Sequence, residues 1–112
     1  MANQAETDSL YMGTALLFSR LSKAKRAKVG ACLVTKNGVI LGGLNGTPTG
    51  HTNECEAEVN GQLVTKPEVV HAELNCILKA AKEGVSCIDS TIYVTLSPCV
   101  QCSAMLVQAG VK

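Results

Sequence analysis

Aromatic residues are scarce in this sequence. Phe18, Tyr11 and Tyr93 are the only three in 112 residues, and tryptophan is absent. Proteins that track single-stranded nucleic acid stack bases on such rings, so nucleic acid is not an expected partner. Net charge is also small, at +1, which gives the molecule as a whole no strong pull toward polyanions. No stretch approaches the roughly 18 consecutive apolar residues of a membrane span, and no membrane contact is expected. The opening MANQAETDSL lacks the basic start and apolar middle of a signal peptide. A cytoplasmic setting is therefore expected, where thiols stay reduced. Six cysteines then point to metal ligands or buried free thiols before disulfides.

Composition nevertheless favours folding, with 46% hydrophobic and 17% charged residues. The length suits a single domain over residues 1–112. Charge is uneven along it. Arg20, Lys23, Lys25, Arg26 and Lys28 crowd five basic groups into nine positions, while Glu54, Glu56 and Glu58 form a small acidic cluster. Each is either a solvated face or, for the basic stretch, a loop facing phosphate.

Apolar residues Leu10, Leu17 and Leu21 recur at helical spacing over 8–22, with Asp8 or Ser9 as cap. Two apolar runs, Val29–Thr35 and Val39–Leu44, flank Asn37-Gly38 and predict an antiparallel hairpin. Residues 45–67 show no sustained period and are expected to form a long functional loop. A second helix is expected over His71–Glu83, stopped by Gly84, and a strand over 90–96. A third helix should open at Pro98 with Ser97 as its cap and stop at Gly110. The expected order is α-β-β-α-β-α.

Two of these helix starts carry chemistry. His71 opens the second in His71-Ala72-Glu73, and the third begins Pro98-Cys99-Val100-Gln101-Cys102. Cysteines at i and i+3 lie on one helix face, so both sulfurs can reach one ion. If the helix starts face each other, His71, Cys99 and Cys102 give three ligands for one zinc, with the fourth position left to water, as in catalytic sites. Glu73 then stands near but unbound, where a carboxylate can move protons. This is the zinc-deaminase pattern H-x-E … P-C-x-x-C.

With those residues in place, HAELNCILKAAKEG, STIYVTLSPCVQC, MLVQAGVK and KVGACLVTKNGVILGGLNGTPTG resemble the deoxycytidylate deaminases, most of all the phage-encoded type. The resemblance covers roughly residues 20–112. It implies an α/β fold, a cytidine-deaminase-like three-layer α/β/α sandwich around a mixed sheet. It implies hydrolytic deamination of dCMP to dUMP with release of ammonia, supplying dUMP for thymidylate synthesis. Glu73 then matches the proton shuttle, and His71, Cys99 and Cys102 match the ligands of one Zn2+. Asn45, Ala72, Ser97 and Arg26 match substrate-binding positions, Arg26 toward the 5′-phosphate. The resemblance further implies a homo-oligomer, control by dCTP or dTTP with Mg2+ accompanying the triphosphate, and host cytoplasm if phage-encoded.

Some positions depart from the family's pattern. His51 and Cys55 lie in the loop where many relatives place a second, structural zinc, but Ala24 stands where some have cysteine, so no second zinc is expected. Leu44 replaces a frequent tyrosine. The sequence stops at Lys112, where the family continues with further strands and helices, so it is expected to be C-terminally short and to expose its last strand as a sheet edge. Rival readings are deamination of another nucleoside, nucleotide or base, and a non-catalytic zinc-stabilised regulatory or assembly subunit.

Overall fold

The structure is a computed structural model describing residues 1–112. Helix α1 covers Gln4–Ser19, strands β1 and β2 cover Gly30–Val34 and Ile40–Leu44, and β3 and β4 cover Glu56–Val59 and Gln62–Thr65. Helix α2 runs Ala72–Glu83, β5 Thr91–Val94 and α3 Val100–Ala109. Strand β1 is central in the order β2-β1-β5, and both its pairings are antiparallel. Within the α/β sandwich expected from the resemblance, these three strands thus form the antiparallel part. β5 is an edge, as expected.

Consecutive glycines in β2 show how the layers form, since successive strand positions face opposite sides. A Cβ on Gly42 would fall 2.0 Å from the Phe18 ring of α1, and one on Gly43 would fall 2.6 Å from the Ala72 carbonyl oxygen of α2. Helix α1 therefore lies on one face and α2 on the other, with α3 against α2. The core between β1 and α2 is built from small side chains, Ala31, Ala72, Cys76 and Ala80 around Leu33. Small residues let helix and sheet approach closely, which holds the first turn of α2 near the backbone of β2.

Three local expectations need correction. Helix α1 starts at Gln4, not near Asp8, because Asn3 and Glu6 form a capping box with bonds of 2.9 and 3.1 Å. The loop expected at 45–67 contains the β3–β4 hairpin, turned by Asn60 (φ 52°) and Gly61 (φ 78°). That is the two-residue Asn-Gly turn with both φ angles positive. The first hairpin does not use it. There Gly38 alone has positive φ, at 87°, Gly38 N–H donates to Thr35 O, and Val39 pairs with Thr35. This is the three-residue type of loop, a turn followed by a left-handed glycine.

Gly30 packs hardest of all, since a Cβ there would lie 1.9 Å from the Ala15 carbonyl oxygen in α1. Backbone cannot swing aside as a side-chain tip can. Gly30→Ala should therefore lower unfolding stability by about 3 kcal/mol, the upper end for overpacking. Gly13, inside α1 with nothing within 4 Å, should gain about 0.5–1 kcal/mol as alanine. Denaturant titration of the two variants checks the contrast, and equal effects would contradict this packing.

Candidate metal centre and substrate cavity

The start of α2 is tied down by two sets of polar contacts. Gly46 and Val70 exchange backbone hydrogen bonds of 3.1 and 2.8 Å, fixing the chain just before His71. Asn75 Nδ2 donates to Leu44 O at 2.6 Å, fixing the helix to the end of β2. His71 is the N-cap residue in extended geometry, and its side chain makes no capping bond. The imidazole is thereby left free to face α3.

Helix α3 begins at Val100, two residues later than Pro98 would suggest. Its N-cap is Cys99, not Ser97, and the Cys99 sulfur accepts from Cys102 N–H at 3.4 Å. Cys99 and Cys102 thus flank the first turn with both sulfurs toward His71. His71 Nδ1 lies 3.2 Å from Cys102 Sγ and 3.8 Å from Cys99 Sγ, and the three donor atoms all fall within 4.8 Å of one another. Tetrahedral zinc with Zn–S near 2.3 Å and Zn–N of 2.0–2.1 Å requires donor separations of roughly 3.5–3.8 Å. The donor set fits zinc in chemistry, and both nitrogen–sulfur separations lie within about 0.4 Å of that spacing.

Glu73 projects from the same turn of α2 as His71. It is buried, only 3% exposed, and its Oε1 lies 3.7 Å from His71 Nδ1. A buried carboxylate is costly without partners, and the partners here are the cluster's own groups. Burial pushes the Cys102 thiol well above the ordinary range, and its hydrogen bond with Glu73 adds to this. The exposed Cys99 thiol is pulled down, chiefly by the hydrogen bond from the Cys102 backbone. The other cysteines behave differently. Cys32, Cys76 and Cys87 are buried, and burial raises all three, Cys76 to about 12. They are packing residues, as the sequence indicates.

A cavity of about 300 Å³ opens beside the cluster. His71, Ala72, Glu73, Cys99, Ser97, Asn45 and Arg26 all line it, so the sequence-derived site residues converge, with Cys102 buried just behind. Asn45 is largely committed to the chain itself. Its Oδ1 accepts from Val29 N–H (2.9 Å) and Ser22 Oγ (2.7 Å), and its Nδ2 donates to Ala27 O (2.9 Å). One amide hydrogen is left over from its four bonding positions. Arg26 is exposed at the rim and donates to Thr65 Oγ1 at 3.2 Å. Glu56, Thr65 and Cys55 also form the wall and were not foreseen, because they belong to the unanticipated hairpin and its approach. The Asn60-Gly61 pair between the short segments EAEV and QLVT is the signal that could have found it. His51 is exposed in the loop, whereas Cys55 is buried in the cavity wall.

Comparison with known proteins decides the family. The model for the cytidine and deoxycytidylate deaminase zinc-binding region matches residues 5–112. The chain belongs to this deaminase family. Human deoxycytidylate deaminase is 36% identical over 112 residues, covering 96% of this chain and 62% of that protein. The chain thus spans less than two thirds of the human relative's length. The deoxycytidylate deaminase of enterobacteria phage T4 is 34% identical over 143 aligned residues, covering 93% of this chain and 74% of that protein. A crystal structure of the dCMP deaminase from cyanophage S-TIM5, in complex with dCMP and dUMP, superposes with a TM-score of 0.89. It is 51% identical and covers 99% of this chain and 80% of that one.

Purified protein should hold about one zinc per chain. After chelation, Cys99 should react with iodoacetamide ahead of the other five cysteines, as the exposed thiol with the lowered pKa. Added zinc should suppress that reaction. Labelling mapped by mass spectrometry, unchanged by zinc, would contradict the cluster as a metal centre.

Proposed function

We propose that the chain carries out hydrolytic deamination of dCMP to dUMP and ammonia. The observation that carries this reading is the buried Glu73 carboxylate beside a three-donor cluster that opens on a cavity. A purely structural zinc site needs four protein ligands and no acid–base group. The cyanophage relative's complex with dCMP and dUMP supports the choice of nucleotide.

In this reading His71 Nδ1, Cys99 Sγ and Cys102 Sγ would hold the metal. The chemistry that zinc would supply there is Lewis acidity, which makes water a nucleophile near neutral pH. Glu73 handles the protons. Its carboxylate takes one from the attacking water as the C4–O bond forms and delivers it to ring N3. Glu73 then carries the proton of the new C4 hydroxyl to the 4-amino group, and as the C4=O bond forms the C4–N bond breaks and ammonia leaves. Burial of Glu73 beside the cluster keeps the carboxylate within reach of both stages. Ala72 and Ser97 contribute to the wall against the base, and the spare Asn45 amide hydrogen points to a sugar or base acceptor. Arg26, at the rim, suits the 5′-phosphate, since guanidinium pairs with phosphate oxygens through two parallel bonds. Oligomeric assembly with dCTP or dTTP control and accompanying Mg2+ belongs to the same proposal and rests on the family resemblance.

Ammonia release from dCMP, CMP and deoxycytidine, assayed side by side, tests the substrate. The rate on dCMP should exceed that on deoxycytidine by tenfold or more, as expected from about 1.5–3 kcal/mol per charge-assisted hydrogen bond. Glu73→Gln should retain zinc while losing roughly 10²–10⁴ in turnover. Near-normal turnover in that variant would remove Glu73 from the mechanism, and equal rates on nucleoside and nucleotide would move the assignment to a nucleoside deaminase.

A further inference from the structure

The basic loop between α1 and β1 has almost no hydrophobic anchor. Of residues 23–28 only Ala24 is buried, while Lys23, Lys25, Arg26, Ala27 and Lys28 are exposed. A loop so placed is ordered by polar contacts or not at all. Asn45 clamps its base through Ser22, Ala27 and Val29. Its tip is held by a single carboxylate oxygen. Glu56 Oε2 accepts from the backbone N–H groups of Lys25 (2.9 Å) and Arg26 (3.1 Å). Two successive backbone N–H groups on one anion form a small anion-binding concavity.

Glu56 comes from β3, and Thr65, which receives the Arg26 guanidinium, pairs directly with it across the β3–β4 hairpin. One pair of opposed residues therefore sets both the backbone and the side chain of Arg26. Both also line the cavity beside the metal cluster. We infer that Glu56 is the positioning residue that sets recognition of the 5′-phosphate, by strapping the Lys25–Arg26 backbone to the hairpin so that the guanidinium is presented at the cavity rim. This rests on the dCMP reading above. Chemically, the carboxylate fixes the loop backbone, and the substrate's phosphate meets an arginine whose orientation has already been set. Preorganisation of this kind lowers the ordering cost at binding, so its loss appears in KM for the phosphorylated substrate.

Two measurements on Glu56→Ala separate this inference from the reading it rests on. Hydrogen exchange by NMR needs no substrate, and the amides of Lys25 and Arg26 should exchange at least tenfold faster in the variant. Unchanged exchange would overturn the strap, whatever the enzyme's substrate. Kinetically, KM for dCMP should rise roughly tenfold more than KM for deoxycytidine, with kcat for dCMP shifting by less than about threefold. Glu56→Gln, which keeps an acceptor oxygen, should recover part of the loss, and Glu58→Ala, an exposed neighbour outside the cavity wall, should match the parent. A fall in KM for dCMP would overturn the inference by showing that Glu56 competes with phosphate. Equal rises for both substrates would overturn it by placing Glu56 at the sugar or base. A parent protein that deaminates neither compound would refute the dCMP reading, with the exchange result standing apart.

Discussion

Helix α2 can rest its first turn on β2 only because residue 43 has no side chain. A Cβ there would meet Ala72 O at 2.6 Å and Cys76 Sγ at 2.9 Å. That close seating puts His71 at the helix mouth and Glu73 one step further in, both referred to the rigid antiparallel pair β1–β2. Asn75 and the Gly46–Val70 bridge then fix the helix along and across the strand. Metal ligands must be held to within a fraction of an ångström, and a helix start pinned on a sheet meets that demand better than a loop. The cysteines follow the same logic, since α3 packs on α2 and the Cys99 sulfur itself caps α3.

Burial divides the chemistry of the chain into two kinds of site. In the core, apolar surroundings raise the thiols of Cys32, Cys76 and Cys87 and keep them inert. At the cluster, burial of Cys102 is opposed by exposure of Cys99 and by N–H groups at a helix start, which favour thiolate and anionic ligands. The cavity has a comparable division. Its inner wall is held by packed elements, and its outer wall, the basic loop and the β3–β4 hairpin, by hydrogen bonds from Asn45 and Glu56. Packing thus holds the metal end of the cavity, and polar contacts hold its rim.

Much of this was legible in the sequence. The spacing of His71, Glu73, Cys99 and Cys102 is readable because helix geometry makes i and i+3 share a face and because Gly84 and Gly110 mark helix ends. Both glycines do take left-handed φ as C-caps. Less legible was the choice among three Asn-Gly pairs, at 37–38, 45–46 and 60–61. Each satisfies the turn rule, yet only Asn60-Gly61 adopts it, because flanking register and loop length decide the turn type. The β3–β4 strands are polar and mostly exposed, so they carry weak hydrophobic alternation. Their cavity residues, Glu56 and Thr65, were hidden with them. The α1 start was missed because Asn3 and Glu6 cap through side chains, ahead of any apolar period.

Two helix starts supply three donors, so a zinc ion bound there would keep one position open. Zinc K-edge X-ray absorption fine structure on the zinc-loaded protein tests it most directly. The expected shell is two sulfurs at about 2.3 Å, one imidazole nitrogen at about 2.0–2.1 Å and one further oxygen at a similar distance. A shell of four protein donors, or one with a single sulfur, would contradict it.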